Sequence, residues 1–253
     1  MPNHITNRIE FYGEQENINK VLELIKGEEE CIDFNKIIPM PKELNITSSS
    51  NNDAAIICYL SNKLTVPFEE LDEEYLKYVT NMFDSNYASN IYHERLPNRK
   101  EDFDELYDLG QVCCGNIHKY GYVDWYDWCR ETWGTKWNAY DVLFDEDNNA
   151  IEFDTAWSCP LPVLDKLAEI CYNHGVSFTG KWADEDCGSN IGIFESDCDG
   201  DEYWFSYEYM EDYSNEAYNI YVELKGESQC MGKDENGNWI HYDCDDCPNK
   251  DVC

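Results

Sequence analysis

The chain has 253 residues, of which 53 are acidic and 18 are basic, and its formal charge at pH 7 is -35. Hydrophobic residues make up 42% and aromatic residues 15%, so the chain can form a core and is not a disordered acidic segment. No apolar run reaches the roughly 20 residues of a membrane span, and the negative charge opposes direct binding to the phosphates of DNA or RNA. The opening residues lack a signal-peptide pattern, so we expect a cytoplasmic protein.

The first part of the chain is predicted to form a strand and then a helix. Residues 3–12 alternate apolar and polar side chains, and apolar side chains recur at helical spacing over residues 18–25. The segment 33–41 is predicted to be extended because prolines at positions 39 and 41 disfavour a helix.

A helical insertion is predicted from Ser48 to Arg130. Three stretches in it have apolar residues at helical spacing: 54–64, 71–83 and 102–114. An aromatic stretch follows, in which Trp125, Trp128, Cys129 and Trp133 could share one helical face.

From Lys136 onward the hydrophobic pattern predicts two hairpins separated by a helix and a strand. The predicted ranges are 136–144 and 150–157 for the first hairpin, 160–171 for the helix, 176–184 for the strand, and 189–196 and 201–209 for the second hairpin. The resulting βαββαβ order predicts an α+β, ferredoxin-like antiparallel sheet with helices on one face and an extra C-terminal acidic hairpin region. We therefore expect a ferredoxin-like domain at 1–184, interrupted by the insertion 48–130, and an acidic aromatic hairpin region with a Cys-rich tail at 185–253.

Four blocks of sequence carry a resemblance to a known family. These are MPNHITNRI at the start, DFNKIIPMP, WGTKWNAYD and FDTAWSCPLPVL. They resemble the YubB-type ferredoxin-like proteins of phages and conjugative plasmids, although Cys159 stands where that family usually has proline. The resemblance implies the fold and a mobile-element origin inside a bacterial host, and it implies no reaction. Packing of the aromatic helix on the sheet explains the shared aromatic residues of the third and fourth blocks.

The acidity after Trp182 is the most informative feature for function. This part has twenty acidic residues and three lysines, and aromatic residues are interleaved with the acids. A rigid acidic surface with exposed aromatic rings resembles a nucleic acid, so it could occupy a basic groove built for one. We therefore expect a non-enzymatic inhibitor of a host defence effector, of the CRISPR or restriction type, whose partner is a basic nucleic-acid-binding protein. The alternative is that the acidity only keeps the protein soluble or reflects a salty habitat. The expected partner-binding residues are Asp184, Glu185, Asp186, Asp197, Asp199, Asp201, Glu202, Trp204, Glu208, Glu211 and Asp212.

The C-terminal tail has the spacing of a structural metal site. Asn236-Gly237 suits a hairpin turn that places Cys230 and His241 on neighbouring strands. A bound Zn²⁺ would have four thiolate ligands, with His241 as a substitute: Cys230, Cys244, Cys247 and Cys253. The alternatives are free thiols or disulfides, and a zinc-stabilised tail would make the protein a structural module.

Two further patterns leave alternatives open. The first, a spacing of Asp197, Asp199, Asp201 and Glu208, partly matches a calcium loop, but Gly200 is misplaced for one and an acidic hairpin turn is favoured. The second is Cys113 and Cys114 near His118; these residues, or the acidic clusters, could serve an enzyme acting on a small molecule or nucleotide. Core thiols beside a helix-end histidine are the favoured interpretation.

Overall fold

The structure, a computed structural model, describes residues 3–61, 87, 90–228 and 230–242. Within these residues one sheet has six strands: β1 (His4–Tyr12), β2 (Tyr140–Asp145), β3 (Ala150–Ala156), β4 (Ser177–Asp184), β5 (Gly192–Asp197) and β6 (Trp204–Tyr209). Their spatial order is β2-β3-β1-β4-β5-β6, and every neighbouring pair is antiparallel. The order of the first four strands is that of a ferredoxin-like fold, so the predicted fold class is confirmed.

The described helices are α1 (Gln15–Ile25), α2 (Phe34–Ile37), α3 (Ser50–Leu60), α4 (Phe103–Tyr120), α5 (Trp125–Thr132), α6 (Leu161–Tyr172) and α7 (Asn215–Lys225). Short turns of other helix types cover Lys42–Leu44, Ile91–Arg95 and Leu96–Asp102, and a two-stranded hairpin consists of β7 (Met231–Lys233) and β8 (Trp239–His241). Among the described residues no helix has the length and apolar character of a membrane span.

The two faces of the sheet differ because successive strand residues point in opposite directions. On β1, Ile5, Ile9 and Phe11 are buried, and the alternate residues Arg8 and Glu10 face the other side. The apolar residues of β3 and β4 share the buried side, where Phe153, Phe178 and Trp182 are fully covered. We call this side the core face and the opposite side the open face.

The chain divides into two compact units. One consists of residues 1–39 and 129–253, and it contains the six-stranded sheet. The other consists of residues 40–128, where α3 packs on α4 around buried apolar residues. Gly110 of α4 allows this packing, because a Cβ there would lie 2.1 Å from the carbonyl oxygen of Ala55.

Several predicted elements differ from the observed ones. The prediction of an extended segment at 33–41 was wrong for residues 34–37, which form α2, although Asp33 and Ile38 on either side are extended. Asp33 caps α2 by accepting a hydrogen bond from the backbone N–H of Asn35, and Phe34 packs edge-on against Phe153. Helix α4 continues six residues beyond the predicted end at 114 and stops at Gly121, which has a φ of 83°. The predicted helix 71–83 lies outside the described residues.

Candidate partner-binding surface

Strands β5 and β6 form the predicted second hairpin and continue the sheet beyond β4. Their register pairs Gly192 with Tyr209 and Asp197 with Trp204, without a bulge between these ends. The predicted boundary after Asp184 therefore falls inside one continuous sheet.

An aromatic row occupies the core-face side of β6, and it consists of Phe205, Tyr207 and Tyr209. The predicted alternation along β6 is confirmed, since these residues pair with the core-face residues of β5. Neighbouring rings in the row lie 6.2 Å and 6.1 Å apart, and Tyr209 meets Trp182 edge-on at 5.1 Å. Tyr207 and Tyr209 are nevertheless each 52% exposed. The row therefore rests on the core at its base and presents aromatic surface to solvent.

Four of the predicted acids lie at the end of β5 and in the turn that joins it to β6. These turn acids are Asp197, Asp199, Asp201 and Glu202, and all four are exposed. The turn is held locally: the backbone N–H of Asp199 donates to the Asp197 carboxylate at 3.0 Å, and the Tyr172 hydroxyl donates to the Gly200 carbonyl at 3.1 Å. Negative charge is thus fixed at one end of the sheet.

The turn does not have the geometry of a calcium loop. Possible ligand atoms of Asp197, Cys198 and Asp199 lie within 4.8 Å of one another, but such clustering is common among exposed acids. Asp197 pairs with Trp204, and Glu208 lies four residues further along β6, which is a distance of about 13 Å at strand spacing. The favoured interpretation, an acidic hairpin turn, is confirmed by the strand pairing.

A second group of predicted acids lies at the opposite ends of the strands. These far-end acids are Glu185, Asp186, Glu211 and Asp212; they follow β4 and β6, and all are exposed. The five residue steps of β5 separate the two groups by about 17 Å. Glu208 lies between them, and the 49% exposed Trp204 lies opposite the turn acid Asp197; both are on the open-face side of β6.

Asp184 does not belong to this surface, and its placement among the partner-binding residues needs correction. It is only 4% exposed, because its side chain points to the core face. One carboxylate oxygen accepts from Asn3 Nδ2 and from the backbone N–H of Asp186, both at 3.1 Å, and the other accepts from Asn190 Nδ2 at 2.7 Å. Asp184 therefore ties the start of β1 to the end of β4.

The open face contains a polar groove that the sequence analysis did not find. Its volume is about 390 Å³, and its lining includes Arg8, Glu10, Lys181 and Ile193. Arg8 forms ion pairs with Glu10 at 2.9 Å and with Asp145 at 3.0 Å. The hydrogen bond from Arg8 holds the pKa of Glu10 below its usual value. The polar alternation along β1 was the available signal, but the partners of Arg8 depend on strand register.

Two exposed tryptophans lie within the blocks that carry the family resemblance, Trp137 in the third block and Trp157 in the fourth. The Lys136 ammonium is 4.7 Å from the ring centroids of both Trp137 and Trp157. Trp157 has a φ of 76°, an unusual value for a bulky residue. Packing on the sheet explains Trp133, which is buried and meets Phe34 edge-on, but it leaves Trp137 and Trp157 more than a third exposed.

The thiols proposed for an enzyme are in a poor position for nucleophilic chemistry. Cys113 is fully buried and Cys114 is 5% exposed, and burial raises the pKa of each to about 12. His118 lies on the same helix but is exposed. Because a thiolate is the nucleophilic form, this environment suits core thiols.

The structure describes two of the residues that were predicted for the zinc site, Cys230 and His241. Cys230 immediately precedes β7, and His241 ends β8, where it pairs with Met231. The predicted hairpin around Asn236-Gly237 is thus confirmed. Cys244, Cys247 and Cys253 lie outside the described residues. The zinc site remains a prediction.

Comparison with known family models finds a match that includes the β5–β6 hairpin. Residues 132–224 match the family model described as the ferredoxin-like domain in Api92-like protein. The matched region runs from the end of α5 through β5 and β6 into α7.

Two other comparisons were with solved structures and with curated proteins. The crystal structure of protein api92 from Yersinia pseudotuberculosis aligns with 83% of this chain and 99% of its own, at 12% identity and a TM-score of 0.37. No curated protein matches the chain.

Proposed function

We propose that this chain is a non-enzymatic acidic protein of YubB type, encoded by a phage or conjugative plasmid, that acts in the cytoplasm of a bacterial host. It inhibits a defence effector, of the CRISPR or restriction type, by occupying the basic channel that normally holds nucleic acid. One observation carries the proposal: residues 183–224 contain 13 acidic residues and no lysine, arginine or histidine, and they form a folded region that consists of the end of β4, strands β5 and β6, most of α7 and the turns between them.

The geometry of the acidic surface supports the comparison with a nucleic acid. Successive phosphates of one DNA strand advance about 3.4 Å along the helix axis, so the separation of about 17 Å between the turn acids and the far-end acids corresponds to the axial length of about five phosphate steps. At physiological salt the screening length is about 8 Å, so each group attracts its own set of basic residues. The exposed rings of Tyr207 and Tyr209 lie on the strand between them and offer flat surfaces for stacking.

The test is a salt-dependent inhibition assay with a matched charge control. Candidate CRISPR complexes and restriction enzymes are incubated with the chain, and their DNA binding is measured at low and high salt. The test variant neutralises the turn acids: Asp197→Asn, Asp199→Asn, Asp201→Asn and Glu202→Gln. The control variant makes the same change in charge at exposed acids elsewhere: Glu14→Gln, Glu28→Gln, Glu29→Gln and Glu30→Gln.

We expect the turn variant to bind at least about tenfold more weakly and with a shallower salt dependence, because steering by localised charge raises association rates by such factors. The control variant should retain most of its affinity. Equal effects of the two variants would show that only net charge matters. The absence of a salt-sensitive complex with any such effector would overturn the proposed function.

A further inference from the structure

The hydrogen-bonding pattern of the sheet determines which backbone groups of β6 face outward. The N–H of Met210 donates to the Ile191 carbonyl at 2.9 Å, and the N–H of Phe178 donates toward β5, to Ser196 Oγ at 2.9 Å. In an antiparallel ladder the inward-facing and outward-facing residues alternate. The backbone N–H and C=O groups of Phe205, Tyr207 and Tyr209 therefore point away from β5. The aromatic row and the outward backbone groups thus belong to the same three residues.

This edge is free within the described part of the chain. None of the described residues donates to, or accepts from, the backbone groups of the aromatic row. The opposite edge of the sheet differs, because β2 has a register shift between Tyr140 and Leu143. A bulge of that kind protects an edge against further pairing, whereas the six pairs of β6 with β5 are regular.

We propose that the free edge of β6 binds an extended basic segment of the partner protein as a seventh strand. Charge complementarity selects this occupant: the turn acids lie at one end of β6, and Glu211 and Asp212 lie at the other. Lysine or arginine side chains near the ends of an added strand would meet these acids, and its backbone would pair with the outward groups. A second copy of this chain would bring the same acids together, so its pairing is opposed by like charge. This inference rests on the basic partner of the proposed function and adds a specific mode of contact.

The experiment uses a backbone substitution that leaves the β5 ladder intact. Tyr207→Pro removes an outward N–H, and proline is tolerated at that kind of edge position. Tyr207→Ala is the matched control, since it removes the same ring and keeps the N–H. The probe is a synthetic peptide that alternates lysine and threonine, and its counterpart alternates lysine and proline. The counterpart has the same charge but cannot complete a ladder. Binding is measured by calorimetry, and circular dichroism and thermal unfolding confirm that both variants fold.

We expect the lysine–threonine peptide to bind Tyr207→Pro about tenfold more weakly than Tyr207→Ala, because one backbone hydrogen bond is lost and the ring of proline obstructs the edge. The lysine–proline peptide should bind more weakly than the lysine–threonine peptide and should not distinguish the two variants. Equal binding of the lysine–threonine peptide to both variants overturns the proposal. The proposal is also overturned if sedimentation shows that the chain self-associates and that only Tyr207→Pro abolishes this self-association, because the occupant of the edge would then be a second copy of the chain. If the Tyr207→Pro variant still inhibits an effector and the turn-acid variant no longer inhibits it, the edge proposal fails and the proposed function stands.

Discussion

Replacing Asp184 with alanine should destabilise the fold without removing any exposed charge from the acidic surface. The substitution deletes a carboxylate that accepts three hydrogen bonds, from Asn3, Asn190 and the backbone of Asp186. Hydrogen bonds to charged groups contribute about 1.5–3 kcal/mol each, but the two asparagine side chains are only partly buried and can turn toward water. We therefore expect Asp184→Ala to lower the free energy of unfolding by about 3 kcal/mol.

The matched control is Glu185→Ala, one residue further along. Glu185 is exposed, so its substitution should change the free energy of unfolding by less than about 0.5 kcal/mol. The stability of both variants is measured by urea unfolding, which is monitored by circular dichroism. An unchanged slope of the unfolding free energy against urea concentration would show that the unfolded states are comparable. A loss below about 1 kcal/mol for Asp184→Ala, or equal losses for the two variants, would refute the assignment of Asp184 to the interior. Partner affinity of the folded Asp184→Ala protein should remain unchanged.

Three further predictions concern other parts of the molecule. Gly192→Ala should destabilise the protein in thermal unfolding, because a Cβ would lie 2.2 Å from the Trp182 ring; an unchanged melting temperature would contradict this close approach. Cys113 should react with a thiol reagent only under unfolding conditions, since it is buried and its pKa is about 12; rapid labelling of the native protein would contradict its burial. Arg8→Gln should raise the pKa of Glu10 in an NMR titration. In the unsubstituted protein the ion pair contributes stability that is present above the ordinary pKa of 4.5 and is lost as the pH falls through the lowered pKa of Glu10, and this contribution should disappear in the variant. An unchanged pKa of Glu10 would contradict the pairing.

Much of the fold was predictable because local patterns and tertiary packing agree. The alternation of β1 and the two hairpins are each specified by side chains that face the core on one side only. Helix α7 was not predicted, because the region after Asp184 was interpreted as hairpins and a tail. The available signals were Ser214, which caps the helix through the backbone N–H of Ala217, and the spacing of Ala217, Tyr218 and Tyr221.

The acidic surface was predictable in composition but not in arrangement. Sequence alone could not divide the acids into two groups about 17 Å apart, because that division depends on the antiparallel register of β4, β5 and β6. It could not place Asp184 in the interior either, since one of its donors, Asn3, is 181 residues away in the chain. The partners of Arg8 were missed for the same reason.

The central position of β1 has a consequence for how the protein is made. Both neighbours of this strand come from much later in the chain, at Ala150–Ala156 and Ser177–Asp184. During synthesis β1 must wait until both have left the ribosome, whereas α3 and α4 can meet earlier. Closing such long loops slows folding, so the apolar side of the first strand stays uncovered, and open to aggregation, until most of the sheet has been synthesised.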